Sequence, residues 1–245
     1  MAINLLLGFG PEEAREVAEA LLNSEQAPAE LRRDAFQILL LTLPPIEREK
    51  RAIAVLEKGN KDRSLAALRL LTLGAASLGK LPGTEYELEL ESGFFTKANE
   101  TELRAETSEF QPIIPQAPRQ LTAEQIRPRI SDGDEEVAAY AGYLLALLGD
   151  AQGLNPLLEY WRREEVRPEL DRLVYRAIAV GDDPEQIGNL RTIYARLGDD
   201  EAKSEFYWTI RIMSGFEILQ FRQQIREEVG IEKLRNSASP AGGFF

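Results

Sequence analysis

The sequence predicts an all-α fold, an α-solenoid of stacked helix pairs broken by a central non-helical insertion, and three observations carry that prediction. Apolar residues recur at helical spacing through most of the 245 residues: Val17, Ala20 and Leu21; Ala35, Ile38 and Leu39; Ile53, Val55 and Leu56; Leu65, Leu68 and Leu71. Helix punctuation agrees. Pro11, Pro45 and Pro184 suit first turns with acidic residues close behind, and Gly59, Gly149, Gly181 and Gly198 stand where helices should stop. Self-similarity is the third. Leu40-Leu41-Thr42-Leu43 returns 30 residues later as Leu70-Leu71-Thr72-Leu73, and Leu148-Gly149-Asp150, Val180-Gly181-Asp182 and Ser214-Gly215-Phe216 follow at intervals of 32 and 34. A lone helix pair cannot cover its own apolar stripe, so units of this period stack and share one core.

Composition narrows the chemistry. The chain has no histidine and no cysteine, which excludes His-based triads, thiolate nucleophiles, disulfides and the usual nitrogen and sulfur zinc sites. With 41 acidic and 29 basic side chains the net charge is −12, unfavourable for general binding to nucleic acid or to an anionic membrane. The acidity is central: residues 1–78 carry −1, 79–121 carry −4, 122–200 carry −7 and the remainder zero.

In chain order, the apolar run from Ile3 to Leu7 lacks a basic flank and is cut short by Pro11, Glu12 and Glu13. A secretory core needs roughly 7–15 apolar residues and a membrane helix about 20, so a cytoplasmic location without membrane contact is expected. Gly8-Phe9-Gly10 lacks the third glycine of a dinucleotide-binding turn, where Glu13 stands instead, and reads as a loop that introduces a helix. Residues 1–78 are the N-terminal helical repeats. Residues 79–121 break the rhythm as an insertion or linker. Glu85-Tyr86-Glu87-Leu88-Glu89-Leu90-Glu91 alternates with a period of two and Thr101 to Thr107 more faintly, as in a hairpin, while Phe94-Phe95 and the Pro112, Pro115, Pro118 series suit an extended arm. Residues 122–235 form the C-terminal repeats, and 236–245 a disordered tail.

The stretch from Asp134 to Leu158 combines an acidic start, the alanine-rich run Val137-Ala138-Ala139-Tyr140-Ala141, the turn Leu148-Gly149-Asp150 and the leucines Leu154, Leu157 and Leu158. It resembles the HEAT-like repeat of bacterial and bilin-lyase type. Leu65 to Gly74 repeats part of that pattern and Leu173 to Ile187 a looser version. Leu190, Tyr194, Gly198, Ala202 and Phe206 are more similar to a tetratricopeptide unit, one residue short between Gly198 and Ala202. Both families are α-solenoids, and the resemblance implies a scaffold that holds another macromolecule on a curved face.

Candidate functional residues follow from side-chain type. The acidic runs at Asp132 to Glu136, Asp182-Asp183 and Asp199-Asp200 lack the ligand spacing of a calcium loop and read as helix caps. No cofactor and no metal is expected. Tyr160-Trp161-Arg162-Arg163 ends a second helix, and Phe206-Tyr207-Trp208 lies inside another with Arg211 close by. Aromatic and arginine side chains dominate interface hot spots. Neighbours on a helix point in different directions, so one of Tyr160 and Trp161 is expected to be at least partly exposed. The expected function is a non-catalytic scaffold that binds a protein with a basic surface. Tyr160, Trp161, Arg162 and Arg163 are its anchors, and Glu85, Glu87, Glu89 and Glu91 form a lip. Two alternatives are a bilin-lyase-like or other small-molecule enzyme enclosing its ligand on the inner face, and a nucleic-acid-binding HEAT-like module. The second would use Arg162, Arg163, Arg167, Arg172 and Arg176, which Glu164, Glu165, Glu169 and Asp171 nearly cancel.

Overall fold

Proline, whose missing N–H costs nothing in a first turn, opens three of the helices: Pro11 begins α1 (Pro11–Asn23), Pro45 begins α3 (Pro45–Glu57) and Pro168 begins α8 (Pro168–Gly181). The structure, a computed structural model, describes residues 11–24, 26–43, 45–57, 61–74, 78–79, 114–115, 117–163, 167–230 and 233–234. The remaining α-helices among them are α2 (Ala29–Leu41), α4 (Lys61–Gly74), the short α5 (Ala123–Ile126), α6 (Glu135–Leu147), α7 (Leu154–Arg163), α9 (Ile187–Tyr194), α10 (Asp200–Ile210) and α11 (Phe216–Val229). The described chain is all-α apart from one antiparallel pair of two-residue strands, β1 (Leu78–Gly79) and β2 (Ile114–Pro115), with Leu78 opposite Pro115 and Gly79 opposite Ile114. The expected strands around Glu85–Glu91 and Thr101–Thr107, and the expected tail 236–245, lie outside the described residues.

The acidic runs are caps, as their spacing indicated. The Asp134 carboxylate accepts the backbone N–H groups of Glu136 and Val137 at 3.0 and 3.2 Å, and Asp199 accepts that of Ala202 at 2.7 Å. Asp150 and Asp183 open 3₁₀ turns in the same way, accepting from Gln152 and Glu185. Each such bond satisfies an otherwise orphaned donor at the positive end of the helix and is worth about 1 kcal/mol.

The helices fall into two compact units. The first holds α1–α4 with α5–α7, and the second holds the strand pair with α8–α11. The boundary between α7 and α8 falls inside the stretch 122–235 that the sequence presents as one block of repeats. In the first unit α1 packs on α2, α3 on α4 and α6 on α7, and the pairs join through contacts of α2 with α4 and of α4 with α6. In the second, α8 packs on α9, α10 and β2, and α10 on α11.

Small residues explain the position of α6. Ten of its thirteen residues are buried, from Val137 to Leu147 with Tyr140 the omission, because alanine and glycine let α4, α5 and α7 approach it closely. At Gly142 the approach is backbone to backbone: a Cβ there would overlap the Gly153 carbonyl and sit 3.0 Å from Pro156 Cγ, and one on Gly153 would sit 2.6 Å from the Ala146 nitrogen.

Two sequence expectations need correction. In α1 the buried residues are Ala14 and Ala18, while Val17 is 41 % exposed; small side chains turn toward α2, and the larger one faces out. The three Gly-centred turns are also not equivalent. Gly149 follows α6 with φ +82°, but after α8 the left-handed residue is Asp182 at φ +45°, and Gly215 at φ +105° precedes α11. A non-glycine residue in this region needs compensation. Asp182 has it, for its carboxylate accepts the Ser214 N–H at 2.8 Å and the Ser214 hydroxyl at 2.7 Å, tying the end of α8 to the loop before α11.

Trp161 and Trp208, the only tryptophans, fall one in each unit. Followed by Trp161 fluorescence in urea, Gly142→Ala is expected to destabilise the first unit by about 2 kcal/mol through overpacking. Gly133→Ala, where a Cβ meets nothing within 4 Å, is expected to shift it by less than about 0.5 kcal/mol. Equal effects would contradict the close approach at α6.

Candidate functional site

The helix α3 has two different faces, and their separation creates the site. At about 100° per residue, Ala52, Ile53 and Leu56 share one side and are buried. The same side is bonded to the segment before α6: Glu49 accepts the Gln120 N–H at 2.6 Å, Glu57 accepts from the Gln125 amide at 2.8 Å, and the Arg129 guanidinium donates to the Leu56 carbonyl. The opposite side presents Glu47, Lys50, Arg51, Ala54 and Val55 at i, i+3, i+4, i+7 and i+8 to a groove of about 650 Å³. Leu22 at the end of α1, Phe36 and Leu39 of α2, Leu43 just beyond it, and Arg63 of α4 complete the lining.

The turn between α2 and α3 is what holds the groove open. Three donors converge on the carbonyls at the end of α2, where the helix dipole favours positive charge. The Thr42 hydroxyl donates to Leu39 at 2.8 Å, Arg15 of α1 to the Thr42 carbonyl at 2.9 Å, and Arg48 of α3 to the Leu43 carbonyl at 3.1 Å. These bonds fix the start of α3 relative to α1 and α2.

The groove has an apolar floor and a charged rim. Phe36 and Leu39 are buried beneath it, while Leu22, Leu43, Ala54 and Val55 are half-buried and present apolar surface to water. Its charged residues are Lys50, Arg51 and Arg63 against Glu47, and the Arg63 guanidinium lies 5.8 Å from the centre of the Phe36 ring. In a chain of net charge −12 this is a locally positive surface.

The residues singled out from sequence fall elsewhere. Tyr160 and Trp161 are both buried, each 7 % exposed, which corrects the expectation that one of them reaches the surface. Leu157, Leu158, Tyr160 and Trp161 are all buried on α7. They span an arc of about 160° at 100° per residue, so adjacent positions fit within one wide apolar face. Arg162 and Arg163 are exposed, and Arg163 is paired with Glu135 at 2.5 Å. Glu85, Glu87, Glu89 and Glu91 lie outside the described residues. Sequence reasoning missed the groove residues. The available signal was the pair Ala54-Val55, which stands off the Ile53–Leu56 stripe with Lys50 and Arg51 four residues ahead.

In the second unit charge is drawn into the packing, with Asp171 and Arg176 buried and Glu205 half-buried. The Glu205 carboxylate accepts from the Tyr175 hydroxyl at 2.8 Å, Arg176 at 2.7 Å and Arg172 at 3.1 Å, and Arg196 reaches the buried Asp171 at 3.3 Å. Tyr175 and Phe206 meet edge to face at 5.1 Å, and Tyr194 and Phe221 close the cluster at 5.6 Å from each other. The Arg211 guanidinium stacks 4.9 Å from the Trp208 ring. Ser204 and Trp208 both donate to the Leu234 carbonyl, at 2.9 and 3.0 Å, and so anchor that residue to α10. These contacts bind the helices of the unit to one another.

Among the described residues, no group of three or more Asp and Glu is placed to hold a metal ion, and no helix is long and apolar enough to cross a membrane. The chain matches no protein-family model, no curated protein and no solved structure.

Burial, and then the neighbouring Glu205 charge, push the Tyr175 phenol well above its ordinary value. Below about pH 10 both folded and unfolded chains hold this proton and stability is unaffected; above it the unfolded chain alone loses the proton, so stability falls by up to about 1.4 kcal/mol per pH unit. Urea unfolding followed at Trp208 is therefore expected to lose stability more steeply between pH 10 and 11 in the parent than in Tyr175→Phe. Identical slopes would contradict it.

Proposed function

We propose that this chain is a non-catalytic protein-binding scaffold, a HEAT-like α-solenoid that seats a partner in the groove between α2 and α3. In this reading α1–α2, α3–α4 and α6–α7 are successive helix pairs, and the resemblance of Asp134 to Leu158 to a HEAT-like repeat describes α6–α7 as one of them. One observation carries the proposal: α3 is bonded along one face while its other face lines a groove with half-buried Ala54 and Val55 exposed to water. Apolar surface arranged as the floor of a groove and rimmed by charge is the usual form of an interaction site.

Binding gains come from covering Leu22, Leu43, Ala54 and Val55, at about 25 cal/mol per Å² of apolar area before the costs of association are subtracted.

Capture from cells of the source organism with the full chain as bait tests this reading. The specific partner is expected to be lost from Val55→Asp, whose far-UV circular dichroism stays that of the parent, and retained by Gln220→Asp on the exposed side of α11. Retention by both variants would remove the groove from the reading.

A further inference from the structure

The groove's dimensions and charge specify its occupant more closely. Resting on the scaffold reading, we propose that the partner element is an acidic amphipathic helix, laid along α3 with its apolar stripe on the floor that Leu43 and Val55 help form and its carboxylates against Lys50 and Arg51.

Length argues for a helix. The α3 wall runs from Glu47 to Val55 and the α2 wall from Phe36 to Leu43, which at 1.5 Å per residue is about 12 and 10 Å, or roughly two turns. A helical partner places side chains i, i+3, i+4 and i+7 on one face within that span, enough to cover the four half-buried apolar residues. An extended partner of the same reach, at about 3.3 Å per residue, points only about two side chains at the floor.

Charge argues for acidity. The rim holds three cations and one carboxylate, and the two on α3, Lys50 and Arg51, are exposed on adjacent positions of its groove face. A basic helix would meet like charge along that edge, whereas an acidic one gains complementary pairs whose main effect is on choice of partner and rate of encounter. The preference is opposite in sign to that expected for the acidic middle of the sequence. The reason is local: residues 45–63 hold six Lys and Arg against four Asp and Glu, a surplus invisible in the overall −12.

The test uses the full chain and three synthetic helical peptides of about 16 residues that share one leucine face and differ only in having Glu, Gln or Lys on the other. Fluorescence anisotropy at low salt is expected to show the Glu peptide binding at least about tenfold more tightly than the Gln peptide, with the gap closing as salt rises. The Lys peptide is expected to bind weakest. In Lys50→Glu/Arg51→Glu the order reverses, and in Val55→Asp all three weaken. If the three bind alike and Val55→Asp weakens them equally, the acidic helix is wrong and the scaffold reading stands. Binding that ignores Val55→Asp, or no binding by any peptide, also overturns the inference. Loss of the scaffold reading itself is seen separately, in partner capture that Val55→Asp leaves intact.

Discussion

Close approach to one small-residue helix organises the first unit. Because α6 carries alanine and glycine where most helices carry leucine, α4, α5 and α7 can all lie against it, and the backbone contact between Gly142 and Gly153 fixes the turn into α7. The chain 117–131 that precedes α6 is brought onto α3, where Gln120, Gln125 and Arg129 donate to Glu49, Glu57 and the Leu56 carbonyl. One face of α3 is thereby occupied and the other left to line the groove. Packing at α6 and the proposed binding surface are consequences of the same arrangement.

Charge plays a different part in the packing of the second unit and at the groove of the first. In the second, carboxylates and guanidinium groups pair within the packing, as at Glu205 and Asp171, where removing one member would strand its partner in a poorly solvated place. Such pairs tie α8 to α10 and to the turn after α9. In the first, Lys50 and Arg51 stand exposed at the rim of the groove, where each contributes little to stability. That contrast separates structural charge from charge suited to recognition better than any count along the sequence.

Helix boundaries, caps and the all-α class are legible in the sequence because they depend on local chemistry. Asp134 and Asp199 cap their helices for reasons a few residues long, and Pro45 begins α3 for the same kind of reason. What is illegible depends on which face meets a neighbour. Val17 and Ala18 are equally plausible core residues in a sequence, and only the approach of α2 selects the alanine. Expecting one of Tyr160 and Trp161 at the surface assumes a narrow buried face, but α7 buries a wide one. The groove is hidden in the sequence because its lining is assembled from four helices and the turn after α2, and because Val55 reads with Ile53 and Leu56 until the opposite side of α3 is seen to be taken. The spacing of Gly149, Gly181 and Gly215 suggests a repeat, yet the left-handed position after α8 belongs to Asp182, one residue later, held by its bonds to Ser214.

The central claim is that the groove face of α3 is where another protein sits. Site-specific photo-crosslinking in intact cells of the source organism addresses it directly, with a photoreactive residue replacing Lys50 or, as a comparison, Glu159 on the exposed side of α7. A discrete adduct of higher mass from position 50 and none from position 159 is the result the account predicts. Adducts from position 159 alone, or from neither position, would contradict it.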